Sequence, residues 1–182
     1  MNENNIKKKG LLIVYTGDGK GKTTAALGMA VRAVGYDWKI GFFQFIKGTW
    51  KYGELEGIKK LAPNVDLEVL GAGFVGIVDD DKPIEEHRRV AKEAVETIRQ
   101  KISSGVYDLI ILDELNVAVS LGLITQDEVE SIINIKADDL TLVITGRGAL
   151  PWLIDRADLV TEMKEIKHPY QKGIPAQKGI DF

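Results

Sequence analysis

The chain has 182 residues, a mass of 20.1 kDa, a formal charge of -3 at neutral pH, 45% hydrophobic and 28% charged residues, and no cysteine. This is the composition of one globular domain with a sizeable core. It gives no electrostatic case for nucleic acid as a partner, removes thiol catalysis and argues against structural zinc. It contains no apolar run near the roughly 20 residues of a membrane span and no signal-peptide pattern, so a cytoplasmic setting is expected.

Met1 to Lys9 is polar and basic and reads as an N-terminal arm, with one domain over 10–182. Leu11 to Tyr15 is a short apolar run of the kind that forms a buried strand. Gly17, Gly19 and Gly21 follow at alternate positions, and Gly21-Lys22-Thr23 matches the second half of the phosphate-binding signature G-x-x-x-x-G-K-[ST]. Small, helix-compatible residues run from Ala25 to Ala33. A strand, a glycine loop and a helix N-terminus make an anion cradle, because unpaired amides of the first turn and the helix dipole both favour phosphate there. Gly17, Asp18, Gly19, Lys20, Gly21, Lys22, Thr23 and Thr24 are the nucleotide-binding candidates. Lys22 reaches the outer phosphates, and the Thr23 hydroxyl holds Mg²⁺ (or Mn²⁺). The signature places its first glycine where this chain has Thr16, with Gly17 one residue late. A dinucleotide fingerprint does not fit, since the spacing is G-x-G-x-G and no acid ends the second strand.

Trp38 to Ile46 is nearly all apolar, as in a parallel strand covered on both faces. The loop Lys47 to Glu54 then carries Trp50 and Tyr52, which either meet a ligand or pack on the sheet edge. A short helix over Glu54 to Leu61 and a strand over Val65 to Leu70 lead to a second glycine loop, Gly71 to Gly76. Asp79 to Asp81 reads as a solvated carboxylate run, with a metal cluster as the alternative. Pro83 opens a long helix to Ser104, with Val90, Ala94, Val95, Ile98 and Ile102 at helical spacing; His87 on it reads as a surface or satisfied histidine.

Asp108 to Glu114 has the form of a Walker-B strand, four apolar residues ending in acids. Glu114 is the candidate second Mg²⁺ ligand; the alternative is a capping carboxylate after a buried strand. Thr125-Gln-Asp-Glu128 is a capping box for a helix to Ile135. Leu140 to Thr145 is another buried strand, ending in Gly146-Arg147-Gly148, where Arg147 either meets an anion or sits in a surface turn. A short helix over Pro151 to Ala157 and a last strand over Asp158 to Ile166 precede an irregular tail, 167–182, which is a lid candidate. Strands alternate with helices without repeat or linker. This predicts one doubly wound, mostly parallel α/β sheet flanked by helices, of the P-loop NTPase (RecA-like) type, with every candidate loop on one edge.

These residues carry a specific resemblance. Thr16-Gly-Asp-Gly-Lys-Gly-Lys-Thr-Thr24, Gln44-Phe-Ile-Lys-Gly-Thr-Trp50, Leu112-Asp-Glu-Leu115, Thr145-Gly-Arg-Gly148, Ala157 to Met163, and Lys167-His-Pro-Tyr170 with Ala176 to Phe182 are similar to motifs of ATP:corrinoid adenosyltransferases. The offset Gly17 is itself that family's form of the loop. The resemblance implies that ATP lies reversed relative to ordinary P-loop kinases. Co(I) of a reduced corrinoid then attacks the ribose C5′, and the whole triphosphate leaves. It makes Lys22 and Glu114 the catalytic pair, with Mg²⁺ on Thr23 and Glu114. It also places Phe74 against the lower corrin face; some relatives carry tryptophan where this chain has Gly76. A homodimer is implied, as is a cobalt-reducing flavoprotein partner. The rival reading is a RecA-like ATPase acting on a macromolecule. A small-molecule kinase lacks support, because the chain has no separate arginine-rich lid.

Overall fold

Six short strands form one all-parallel sheet in the order β3-β2-β4-β5-β1-β6. They are β1 (Leu12–Thr16), β2 (Ile40–Gln44), β3 (Val65–Val69), β4 (Leu109–Asp113), β5 (Thr141–Thr145) and β6 (Leu159–Glu162). Between them run α1 (Lys22–Val34), α2 (Gly53–Lys59), α3 (Ile84–Ser103), α4 (Leu115–Ser120), α5 (Gln126–Asn134) and α6 (Pro151–Arg156). This computed structural model describes residues 9–46, 52–73 and 82–181. The arm before Lys9, the loop bearing Trp50, Phe74, Gly76 and the Asp79–Asp81 run lie outside the described residues.

Burial explains the strand sequences. β2, β4 and β5 are buried at every position, because helices cover both faces and leave no side for a polar alternation. On one face α1 lays Ala26, Ala30 and Ala33 against Ile13, Phe42, Ile111 and Val143, and Ile58 of α2 joins them. The small alanines let α1 approach the strands closely. On the other face, Ala91, Ala94, Val95, Ile98 and Ile102 of α3 pack with Phe43, Ile110, Leu112 and Ile144, together with residues of α4, α5 and α6. Each fully buried Phe, Leu or Ile contributes on the order of 1.5–3 kcal/mol.

Helix ends follow the chemistry of their residues. Thr125 accepts the Glu128 amide and Glu128 answers to the Thr125 amide, so the capping box forms as its sequence predicts. Pro151 stands in the first turn of α6. Pro83 is the cap of α3 rather than its first residue. Two differences from the sequence reading concern extent. The ladder of β2 stops at Gln44 although Phe45 and Ile46 are also buried, and β6 ends at Glu162. A third concerns the stretch after β4, where the sequence reading placed no helix before Thr125: Glu114 turns the chain with φ 62 straight into α4.

Strand register brings the tips together. Tyr15 pairs with Thr145, Gln44 with Asp113, and Thr16 with Glu162, so all these positions fall on one edge of the sheet.

Candidate active site

Eight polar side chains are buried among the described residues. Six of them, Thr16, Lys22, Gln44, Asp113, Asn116 and Thr145, lie at or just beyond the C-terminal edge of the sheet. Burying so much polarity in one place costs stability unless the groups satisfy one another, and it is the ordinary mark of a ligand site.

The glycine loop stands at the centre of that edge. Gly21 caps α1 with φ 112 and Gly17 has φ 92, conformations that a side chain disfavours. A Cβ on Gly17 would come within 2.5 Å of the Met163 carbonyl oxygen, and one on Gly19 within 2.7 Å. The loop is therefore seated directly on the backbone that follows β6. The Gly19 amide donates to the Met163 carbonyl at 2.6 Å and the Met163 amide to the Thr16 carbonyl at 2.8 Å.

Lys22 is the first residue of α1 and is 7% exposed. Its ammonium donates to the carbonyls of Gly17 and Gly19, each at 2.7 Å. One of its three donors is left for an anion. Burial pulls its pKa below the usual lysine value; Glu114 opposes that shift, Arg147 adds to it, and Asp18 opposes it.

The Thr23 hydroxyl donates to Asp113 Oδ1 at 2.9 Å, and the Thr145 hydroxyl donates to the same oxygen at 2.8 Å. Gln44 Nε2 holds Asp113 Oδ2 at 3.2 Å, while Gln44 Oε1 finds no donor among the described residues. Asp113 is wholly buried, and these three donors are what make an acid tolerable there.

A cavity of about 660 Å³ opens in front of the loop. Of the sequence-predicted residues, Gly19, Lys20, Gly21, Lys22, Thr23, Thr24, Glu114 and Arg147 line it. Gly17 lies behind, against Met163, and exposed Asp18 acts on Lys22 through its charge. His87 is buried on α3 and does not line the cavity. The remaining wall includes Gly53 and Glu54 from the start of α2, and Gly179, Ile180 and Asp181 from the tail. Asp181 makes an ion pair with Lys20, so the end of the chain closes one side of the cradle.

Sequence reasoning took Asp113 and Glu114 together as the acidic end of a Walker-B strand but gave the ligand role to Glu114 alone, and it missed Thr145, Gln44 and Asp181. Those three depend on strand register or on the return of the tail.

Fold and site together define a P-loop nucleotide-binding protein of the RecA-like kind. Two solved structures share this fold: flagellar accessory protein FlaH from Methanocaldococcus jannaschii and the RadB recombinase. FlaH superposes with a TM-score of 0.54 at 13% identity, over 85% of this chain and 71% of FlaH. RadB gives 0.51 at 14% identity, over 88% of this chain and 77% of RadB. The sequence is more specific. Residues 8–182 match the family described as ATP:corrinoid adenosyltransferase BtuR/CobO/CobP, and the chain belongs to that family. Corrinoid adenosyltransferases of Pseudomonas aeruginosa and Escherichia coli K12 are each 38% identical to it, over 96% of this chain and 85% and 87% of theirs. The Salmonella typhimurium corrinoid adenosyltransferase CobA is 37% identical over 97% of this chain and 87% of its own. The protein is an adenosyltransferase, and a RecA-like motor is not favoured, since with those proteins only the fold is shared.

Proposed function

We propose that this protein transfers the 5′-deoxyadenosyl group of ATP to the Co(I) centre of a reduced corrinoid and releases inorganic triphosphate. The lone pair of the reduced substrate forms the bond to C5′. The C5′–O5′ bond breaks, and its electron pair leaves on the triphosphate. No proton moves, so the chain needs charge stabilisation and alignment rather than a general base. The observation that carries this reading is the glycine loop with Lys22 pre-seated at its centre: it suits a polyanion that gains charge as it departs.

The residues also fit a divalent cation. Because the Thr23 proton is taken by Asp113, a lone pair of that hydroxyl remains for the cavity side, and the Glu114 carboxylate lines the same cavity. Among the described residues no group of three or more His, Asp or Glu side chains is arranged to hold a metal. A cation bound largely through substrate phosphates, as Mg²⁺ or Mn²⁺ is, suits such a site, with Thr23 and Glu114 as its protein ligands. When bound, it neutralises charge on the leaving triphosphate.

Further parts of the reading rest on the family and on exposure. Phe74 and Trp50 belong to the corrinoid side of the site, and Arg147 meets an anionic group. The tail 167–182 serves as a lid, supported by the pairing of Asp181 with Lys20. The functional unit is a homodimer; β6 is an exposed edge strand bearing Leu159 and Val160, and Ile166, Tyr170 and Ile180 beyond it are exposed. A flavoprotein reductant in the cytoplasm supplies the reduced corrinoid. Incubation with ATP, Mg²⁺ and a corrinoid under strong reductant tests the central statement: adenosylcorrinoid and triphosphate are expected in equal amounts. Release of ADP or pyrophosphate would overturn it.

A further inference from the structure

Glu114 is one of two non-glycine residues with a left-handed backbone among those described, the other being Asp37. For a long side chain this conformation (φ 62, ψ 20) is disfavoured and persists only where neighbours hold it. The holder lies on a different strand. The Glu114 amide donates to Thr145 Oγ1 at 3.0 Å, and the same hydroxyl donates to Asp113 Oδ1 at 2.8 Å. A hydroxyl has one proton and two lone pairs, so this single group answers both demands: its proton goes to the carboxylate and a lone pair takes the amide.

The tip of β5 is locked to the start of α4 by a second contact. Asn116 Nδ2 donates to the Gly146 carbonyl at 3.2 Å. A Cβ on Gly146 would meet Asn116 Cβ and the Val117 amide nitrogen at 3.0 Å, so only glycine lets the two segments approach this far. Thr16, at the neighbouring strand tip, does something else; its hydroxyl accepts the Ala149 amide at 3.2 Å and steadies the loop into α6. Thr145 itself is wholly buried and does not line the cavity.

We infer that Thr145 is a positioning residue for this site, one hydroxyl that fixes the Asp113 carboxylate and the Glu114 backbone together and so aims both Thr23 and Glu114 at the bound metal–nucleotide. The inference rests on the reading of Thr23 and Glu114 as ligands of the divalent cation. Asp113 orients the Thr23 hydroxyl by accepting its proton, and Glu114 lines the cavity from a backbone that turns left-handed. Both settings pass through Thr145. Groups that orient metal ligands in this way matter to affinity although they never touch the ion.

Two substitutions separate positioning from bulk. Thr145→Ser keeps the hydroxyl; Thr145→Val keeps the shape and loses it. ATP affinity is measured by equilibrium binding against free Mg²⁺, and again in chelator without metal. The valine variant should need about 10- to 100-fold more Mg²⁺ for half-maximal ATP binding, as loss of a group behind a metal ligand does elsewhere. Its metal-free ATP affinity should match the parent, and serine should restore the parental Mg²⁺ requirement. Should the valine variant not fold, Thr145→Cys carries the same test, with a thiol too weak as a donor to replace the hydroxyl. A hydroxyl-free variant with the parental Mg²⁺ requirement overturns the inference. So does one that loses ATP affinity equally with and without metal, since that is a structural prop alone. If the parent binds ATP with no dependence on Mg²⁺, the cation reading itself fails, and that result is visible before any variant is made.

Discussion

Replacing Lys22 with methionine removes one charge and keeps most of the side-chain volume. The ammonium is held by two carbonyls at 2.7 Å and is 7% exposed, so it is already in place before the reaction and needs no reorganisation as charge builds on the leaving oxygen. A unit charge about 4 Å from a developing negative charge is worth about 4 kcal/mol at an effective dielectric near 20. Part of that is offset by the solvation that Lys22 has given up on burial, leaving roughly 3 kcal/mol specific to the transition state, in the range found when one preorganised donor is deleted. At about 1.36 kcal/mol per decade this is a loss of two or more orders of magnitude in kcat. The assay is the rate of adenosylcorrinoid formation under strong reductant with saturating ATP and Mg²⁺, and thermal unfolding checks that the variant is folded. Lys22→Arg should not restore the rate, because a planar guanidinium cannot sit between the same two carbonyls. A Lys22→Met enzyme that turns over near the parental rate at saturating ATP would refute the reasoning: the loop would then bind triphosphate without assisting its departure.

Lys22 also predicts a pH dependence of stability in the unliganded protein. Its folded pKa lies below the 10.5 of a free lysine because burial disfavours the charged form, so the unfolded chain binds more protons in that window. The parent should therefore gain stability relative to Lys22→Met as pH rises from the lowered value to 10.5, read by thermal unfolding at stepped pH; a constant or shrinking difference contradicts it. The backbone of Glu114 gives a third test: Glu114→Gly and Glu114→Ala both lose the carboxylate, but only alanine is strained at φ 62. At about 1 kcal/mol of strain, the glycine variant should melt about 2–4 °C above the alanine variant, and equal melting would deny the left-handed turn. Gly17→Ala would drive a Cβ to 2.5 Å from the Met163 carbonyl oxygen at φ 92, so ATP affinity should fall sharply in equilibrium binding, and an unchanged affinity would show that the loop need not rest on the backbone that follows β6.

The glycine cradle was legible in the sequence because it is local: strand, loop and helix start all fall within Leu11 to Ala33. The capping box at Thr125 was legible for the same reason, and so was the parallel sheet, since β2, β4 and β5 read as continuous apolar runs. What escaped depends on register. Nothing near Thr145 in the chain says that it will stand beside Tyr15 on one side and reach Asp113 on the other. Helix α4 was hidden because its start has no ordinary capping signal; a glutamate in a left-handed turn stands where Ser or Asp would announce a helix. Apolarity also overran the ladder at Phe45 and Ile46, which are buried by packing rather than by strand pairing, though the Phe45 amide still reaches the Asp113 carbonyl at 3.0 Å. The tail could be read as irregular but not as returning to Lys20.

A P-loop used for hydrolysis or phosphoryl transfer has to place a nucleophile's proton as well as the phosphates. Here the described polar groups around the cavity are bound to one another in ways that fix position. Lys22 is tied to Gly17 and Gly19, Thr23 and Thr145 to Asp113, and the Glu114 amide to Thr145. Neither histidine lines the cavity: His87 is buried on α3, and His168 Nδ1 accepts the Tyr170 amide at 3.2 Å in the tail. Apart from the carboxylates of Glu54, Glu114 and Asp181 on the cavity wall, this edge is built to hold charge and geometry still. Alkyl transfer from ATP asks for that alone, since the incoming nucleophile arrives without a proton and the leaving triphosphate departs as an anion. The same fold in proteins with a different task can keep the cradle and change what the neighbouring strand tips do, which is why the likeness to FlaH and RadB ends at the fold.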